Sequence, residues 1–184
     1  MHKSVFLVFS LLMIAADQLS KWAITEHMLR WRIDLLPPMS LIEWYKHTPE
    51  PLPFVKAEVT PFYNIVMVWN KGISFGMFNE TTNYGPLLLT LLSLVITVIF
   101  LVVLFRGKTP GPQAFGIGLI IGGAIGNVVD RLRFGAVIDF LDFHYKDYHW
   151  PAFNVADSCI CVGVAILIHE DVGFLLEPRR FLLV

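Results

Sequence analysis

Charge is scarce in this 184-residue chain: Lys and Arg number 14, Asp and Glu 15, and charged residues make up 16% of the total. Soluble domains carry about a quarter. The formal net charge is -1 and no basic stripe is present, which argues against a nucleic-acid partner, since phosphates are met by clustered cations. Cysteine is nearly missing as well. Cys159 and Cys161 stand one residue apart in an apolar run, point to different faces of a helix, and are too few for a disulfide framework or a zinc cluster. They read as small core residues. His144, Asp147 and His149 come nearest to a metal set, but no fourth ligand accompanies them, so neither a metal nor a cofactor is expected. What the chain has in quantity is apolar residues, 55% of it, with mean hydropathy +0.63. That is the composition of an integral membrane protein small enough to be one domain.

Four runs are read as spanning helices, at about 4–24, 84–105, 113–132 and 154–176. The first, Val5–Ile24, has a cleavable signal peptide as its rival, but Asp17 and Lys21 stand where a small-residue cleavage site belongs, so a retained helix is expected. Asp17 and Lys21 are four apart and share a face. They either pair at the interface, with Lys21 snorkelling to headgroups, or belong to a site. The second run holds no ionisable residue and reads as scaffold. The third is rich in glycine, and Gly122 with Gly126 makes a G-x-x-x-G step that lets a neighbouring helix approach closely. The apolar core of the fourth is short and is completed by Phe153 and Phe174–Leu176.

Between the first two runs, residues 25–82 are expected outside the membrane. Phe62–Phe78 reads as two short strands joined at Asn70-Lys71-Gly72, or as a small sheet. Such an element either cradles an extended peptide by strand addition or is an ordinary hairpin. Asn70 is its candidate for binding a peptide backbone. Trp31, Trp44, Tyr45, Tyr63 and Trp69 suit an interfacial layer. Lys3, Arg106 with Lys108, and Arg179 with Arg180 fall on one side of a four-span topology, which the positive-inside tendency makes cytoplasmic. The segment 25–82 and a loop at 133–151 then face outward, and Asp17, Asp130, Asp139 and Asp157 all gather near the outer face.

Carboxylates at the edges of greasy segments are expensive and need a reason. Two carboxylates sharing one proton supply base and acid together for hydrolysis, because like charges about 3 Å apart cannot both ionise. Asp139 and Asp157 are separated by one re-entering turn and form the candidate pair. Asp130 with Arg131 is placed to orient the segment delivering Asp139, with Asn127 on the same helix. Asn154 either donates to a substrate carbonyl or caps the fourth helix. A serine–lysine hydrolase using Ser20 or Ser74 with Lys21 is a second enzyme reading, weakened because Ser20 and Lys21 diverge on a helix. A small transporter or proton relay is the non-enzyme reading, but no internal repeat is present.

Five ordered blocks then stand out: Asp17–Lys21, Asn70–Phe75, Gly122–Arg131, Val137–Phe140 and Phe153–Asp157. Together they resemble the bacterial lipoprotein signal peptidases, aspartyl peptidases of the inner membrane. The resemblance implies a mainly α membrane protein with four transmembrane helices, a small extracytoplasmic β-cradle and a periplasmic loop or helix, both termini being cytoplasmic. It also implies cleavage of lipid-modified prolipoproteins just before the diacylglyceryl-cysteine. By that match Asp139 and Asp157 are catalytic, while Asn70, Asn127, Arg131 and Asn154 bind substrate or order the site. Asp17, Lys21, Asp130, Gly122 and Gly126 support it. The expected partners are prolipoproteins and membrane lipids, and a monomer is expected. Two departures stand out: the stretch Trp31–Thr60 is longer than the family usually carries, and Lys71 stands where a small or polar residue is expected.

Overall fold

Long apolar runs have no internal partner for their side chains but satisfy their own backbone as helices, and this chain folds accordingly. The computed structural model describes residues 3–33, 37–72 and 84–176. Ser74, Arg179, Arg180 and the part of Phe62–Phe78 beyond Gly72 lie outside the described residues. Helix α1 (Lys3–Ala23) continues through a π-helical turn at Ile24–Leu29 into a 3-10 turn at Arg30–Arg32, well past the expected end near 24. The buried carboxylate of Glu26 holds this extension. It accepts from Arg30 Nε at 2.7 Å, from Arg30 Nη2 at 3.0 Å and from the Met39 amide at 3.0 Å, so the chain reverses over it.

Among the described residues, three helices are long and apolar enough to cross a membrane: Ser4–Arg32, α3 (Gly85–Arg106) and α4 (Gly111–Phe134). The sequence led to an expectation of four. The fourth, α5 (Val155–Leu176), is 22 residues long, and its side chains are described as far as Glu170. It lies in the same bundle, packed against α4 and α1. Helix α4 is the hub, touching α1, α3 and α5, and its glycines make that closeness possible. A methyl carbon added at Gly123 would lie 2.3 Å from the Ala156 carbonyl oxygen on α5. Additions at Gly122 and Gly126 would meet Ser10 and Met13, and Asp17, on α1 within 3 Å. Helix α4 ends at Gly135, whose φ of 68° is the left-handed C-cap that glycine adopts without strain.

The extramembrane part is a four-stranded antiparallel sheet in the order β1-β2-β3-β4: β1 (Lys56–Thr60), β2 (Tyr63–Asn70), β3 (Val137–Tyr145) and β4 (Tyr148–His149). The β1–β2 turn lies at Pro61-Phe62, and β2 runs to Asn70, where the expected turn Asn70-Lys71-Gly72 begins; the strand expected after that turn lies outside the described residues. The segment 133–151, expected as a loop, carries β3 and β4, whose β-branched and aromatic residues complete the sheet. The long stretch before β1 forms a short helix, α2 (Leu41–Lys46), started by a reciprocal Ser40–Glu43 capping box. Its Trp44 is fully buried with Leu29, Leu52, Met67, Ile138 and Phe140 beneath the sheet. The exposed tips Tyr145, Tyr148 and Trp150 end the β3–β4 hairpin.

Candidate active site

The sheet and α5 deliver the two candidate acids from opposite directions. Asp139 lies on β3 opposite Val68, and Asn70 is opposite Val137. Asn70 and Asp139 are therefore diagonal neighbours on one face, and Asn70 Nδ2 donates to Asp139 Oδ2 at 2.9 Å. The chain entering α5 is stitched to the same strand by a bridge between Leu141 and Phe153. Phe153 N donates to Leu141 O at 3.1 Å, and Leu141 N donates to Phe153 O at 2.9 Å. That register sets Asn154 beside Asp139, and Asn154 Nδ2 donates to Asp139 Oδ1 at 2.7 Å.

Asn154 does two things at once. Its Oδ1 accepts the Asp157 amide at 2.9 Å, while its own amide donates to Asp157 Oδ2 at 3.3 Å, a reciprocal cap that starts α5. Its Nδ2 reaches across to Asp139 and to Asn127 Oδ1 at 3.2 Å. The capping and site readings of this residue are thus not alternatives. Asn127 on α4 completes the ring by donating from Nδ2 to Asp157 Oδ1 at 2.8 Å. All four oxygens of the two aspartates accept from asparagine N–H groups. None of these donors is a cation. Burial pushes the Asp139 carboxyl up, the neighbouring Asp157 charge pushes it further, and the Asn70 and Asn154 donors and the Lys21 charge pull against them. It settles at about 7.

A second acid cluster lies behind the first. Lys21 Nζ is 2.7 Å from Asp17 Oδ2 and 2.7 Å from Asp130 Oδ2, and all three side chains are 0% exposed. Asp17 Oδ1 accepts the Ala156 amide at 2.9 Å, and Asp130 Oδ2 accepts the Ile138 amide at 3.1 Å. Each of those amides belongs to the residue just before a candidate acid. The Asp17–Lys21 pair is therefore buried rather than snorkelling to headgroups. Arg131 is half-buried, with its Nε left without a hydrogen-bond partner among the described residues.

Other expectations are redrawn. Ser20 Oγ donates to the Asp17 carbonyl at 2.7 Å, and the Lys21 ammonium binds two carboxylates, so Ser20 and Lys21 do not form a nucleophile–base dyad. His149 Nδ1 lies 2.7 Å from Asp142, which also accepts from Asn64 at 2.8 Å, and the His144 ring stacks on His149. Asp142 thus belongs to the sheet's far end, where these donors hold its carboxyl below the usual carboxylate range against the effect of burial. Among the described residues, no group of three or more His, Cys, Asp or Glu is placed to hold a metal ion.

Sequence reading did not single out Gln18, Glu26, Arg30 or Arg133. Gln18 Nε2 donates to Asp130 Oδ1 at 2.8 Å, to Gly126 O at 3.2 Å and to Asp17 Oδ2 at 3.2 Å. An amide beside an acid in an apolar run was the available signal. Glu26 and Arg30 had only their four-residue spacing to reveal them.

The chain is similar to known proteins in sequence and in fold. Residues 9–172 match the family model described as Signal peptidase (SPase) II. A lipoprotein signal peptidase of Polynucleobacter necessarius is 34% identical over 163 residues, covering 89% of this chain and 86% of the relative. One from Syntrophotalea carbinolica is 39% identical over 167 residues, covering 89% and 88%. In fold, the chain resembles two bacterial membrane enzymes solved by the in meso method. Their TM-scores are 0.73 and 0.66 at 21% and 22% identity, over 96% and 95% of this chain and 93% and 94% of theirs. On the matched length, the relatives and the fold together, this membrane protein belongs to the signal peptidase II family of peptidases.

Proposed function

We propose that the chain cleaves signal peptides from diacylglyceryl-modified prolipoproteins just before the lipidated cysteine, with Asp139 and Asp157 activating the water. The observation that carries the reading is the ring of Asn70, Asn127 and Asn154, which ties acids from β3 and α5 into one cluster without neutralising them. With its carboxyl near 7, Asp139 is the partner that holds the proton. Asp157 takes a proton from the attacking water as the new C–O bond forms, and Asp139 gives its own to the carbonyl oxygen. The tetrahedral diol then collapses. The C–N bond breaks, the nitrogen receives the proton that Asp157 carried, and one diol hydroxyl returns its proton to Asp139. Arg131, beside the ring and with an Nε that has no hydrogen-bond partner among the described residues, is the donor we assign to a substrate carbonyl.

The site lies at the end of the bundle where α1, α4 and the start of α5 meet the sheet. We place that end at the outer face of a bacterial inner membrane, with α5 as a fourth span, both termini cytoplasmic and the chain a monomer among lipids. The three-asparagine ring and peptidase family membership favour this reading over a transporter or proton relay. Incubating the purified protein with a lipidated prolipoprotein and its non-lipidated control tests it. Cleavage confined to the lipidated form is expected, and equal cutting of both, or of neither, sinks the substrate assignment. A cysteine at His47 or His149 should react with an impermeant label from outside and one at Lys108 should not. The reverse pattern overturns the orientation.

A further inference from the structure

Residues 37–60, within the stretch Trp31–Thr60, end up joined to the buried acids. Helix α2 is clamped from the last turn of α4. The Arg133 guanidinium lies 4.0 Å from the Trp44 ring centre and 4.5 Å from that of Tyr45, and it donates to the Trp44 carbonyl. This fixes the direction of the Tyr45 hydroxyl, which donates to Gln18 Oε1 at 3.1 Å.

Gln18 is 4% exposed, and its amide nitrogen faces only acceptors: both carboxylates of the ion cluster and the Gly126 carbonyl. A carboxamide carries a donor end and an acceptor end, so the Gln18 oxygen is left needing a donor. Tyr45 supplies it. Without that hydroxyl, a buried acceptor loses its partner and the amide loses the contact that fixes its rotation.

Resting on the peptidase reading above, we infer that Tyr45 is a positioning residue. Its hydroxyl orients Gln18, Gln18 holds the Asp17 and Asp130 carboxylates, and these hold the Ala156 and Ile138 amides that set Asp157 and Asp139. The stretch 37–60 thereby acts as a stay on the active site, reaching it from outside the membrane.

Tyr45→Phe removes only the hydroxyl and leaves the ring under Arg133. With the full chain and a lipidated prolipoprotein, kcat falls about fivefold, the scale of one hydrogen bond, while KM stays unchanged. Gln18→Leu lowers kcat further, and adding Tyr45→Phe to it changes nothing more. Tyr45→Leu, which also removes the ring, gives the same kcat loss with a lower melting point. A wild-type kcat in Tyr45→Phe, a multiplicative loss in the double variant, or a raised KM at constant kcat would overturn the assignment. Amide hydrogen exchange at Ile138 and Ala156 decides the matter without turnover. Faster exchange in Tyr45→Phe supports the relay and unchanged exchange refutes it, even if the wild-type protein cuts no lipidated substrate and the peptidase reading itself falls.

Discussion

Two pairs of aspartates sit at the same end of this bundle, and they are stabilised in opposite ways. Asp17 and Asp130 share a lysine, with the whole cluster sealed from solvent. Asp139 and Asp157 are held by three asparagine side-chain amides and the Asn154 backbone amide, and Asp157 remains half-buried rather than sealed. A lysine neutralises a carboxylate; an amide orients it and leaves the charge in place. The proton then becomes the available counterion for the second pair, and Asp139 at about 7 expresses this. An acid pair with a fixed cation serves as structure, while one with only neutral donors keeps a proton that it can trade.

The sharpest way to break this contrast is to remove a carboxylate from each cluster in turn. Asp139→Asn and Asp157→Asn should each lower cleavage by about 10³-fold or more, since base and acid act as one unit. Both variants should still fold and run as the wild-type species in detergent, because each Asn keeps the shape of the group it replaces. An unfolded Asp157→Asn protein would make the pair structural after all. Lys21→Met should do the reverse. It strands two carboxylates in a sealed site, destabilising the fold by about 3–5 kcal/mol. A loss of thermal midpoint and of accumulated protein is the readout, and a Lys21→Met chain that melts like the wild type would show the cation to be dispensable.

The pH dependence separates the clusters further. In the unfolded chain Asp139 ionises near its ordinary 3.8, and in the folded chain near 7. Between those values the folded state binds more protons than the unfolded one, so stability falls as pH rises through that window. Asp139→Asn never ionises. Its melting point should therefore exceed that of the wild type at about pH 8 and lose that advantage as pH falls towards 4. An advantage that is constant over that range would mean that the proton on Asp139 is not what changes. For the same reason cleavage by the wild-type protein should decline as pH rises above about 7.

How far the sequence revealed this design depended on whether a residue acts locally. The apolar runs, the G-x-x-x-G approach and the acids at run edges are periodic or composition signals, and the structure places Asp17, Lys21, Asp130, Asp139 and Asp157 together at one end. The strand that ends at Asn70 was legible from its β-branched and aromatic residues, but its pairing with β3 was not, because that partner lies far along the chain. Gln18, Tyr45 and Arg133 were not legible as a group. They come from three elements spread over more than a hundred residues, and only the folded chain brings a hydroxyl on α2 to an amide on α1.

Ser20→Ala should have the smallest effect, and its smallness carries the contrast between the clusters. The Ser20 hydroxyl donates to the carbonyl of Asp17 within its own helix, a bond that competes with helical geometry as much as it supports it. Alanine is the better helix former, so stability should move by no more than about 0.5 kcal/mol. Cleavage should stay within about twofold of the wild type, because among the described residues the Ser20 hydroxyl bonds the Asp17 carbonyl and not the three-asparagine ring. Suppose instead that Ser20→Ala abolished cleavage while Asp139→Asn did not. The reacting group would then lie in the lysine cluster, Lys21 would have to release its carboxylates to act as a base, and the asparagine ring would be the structural one.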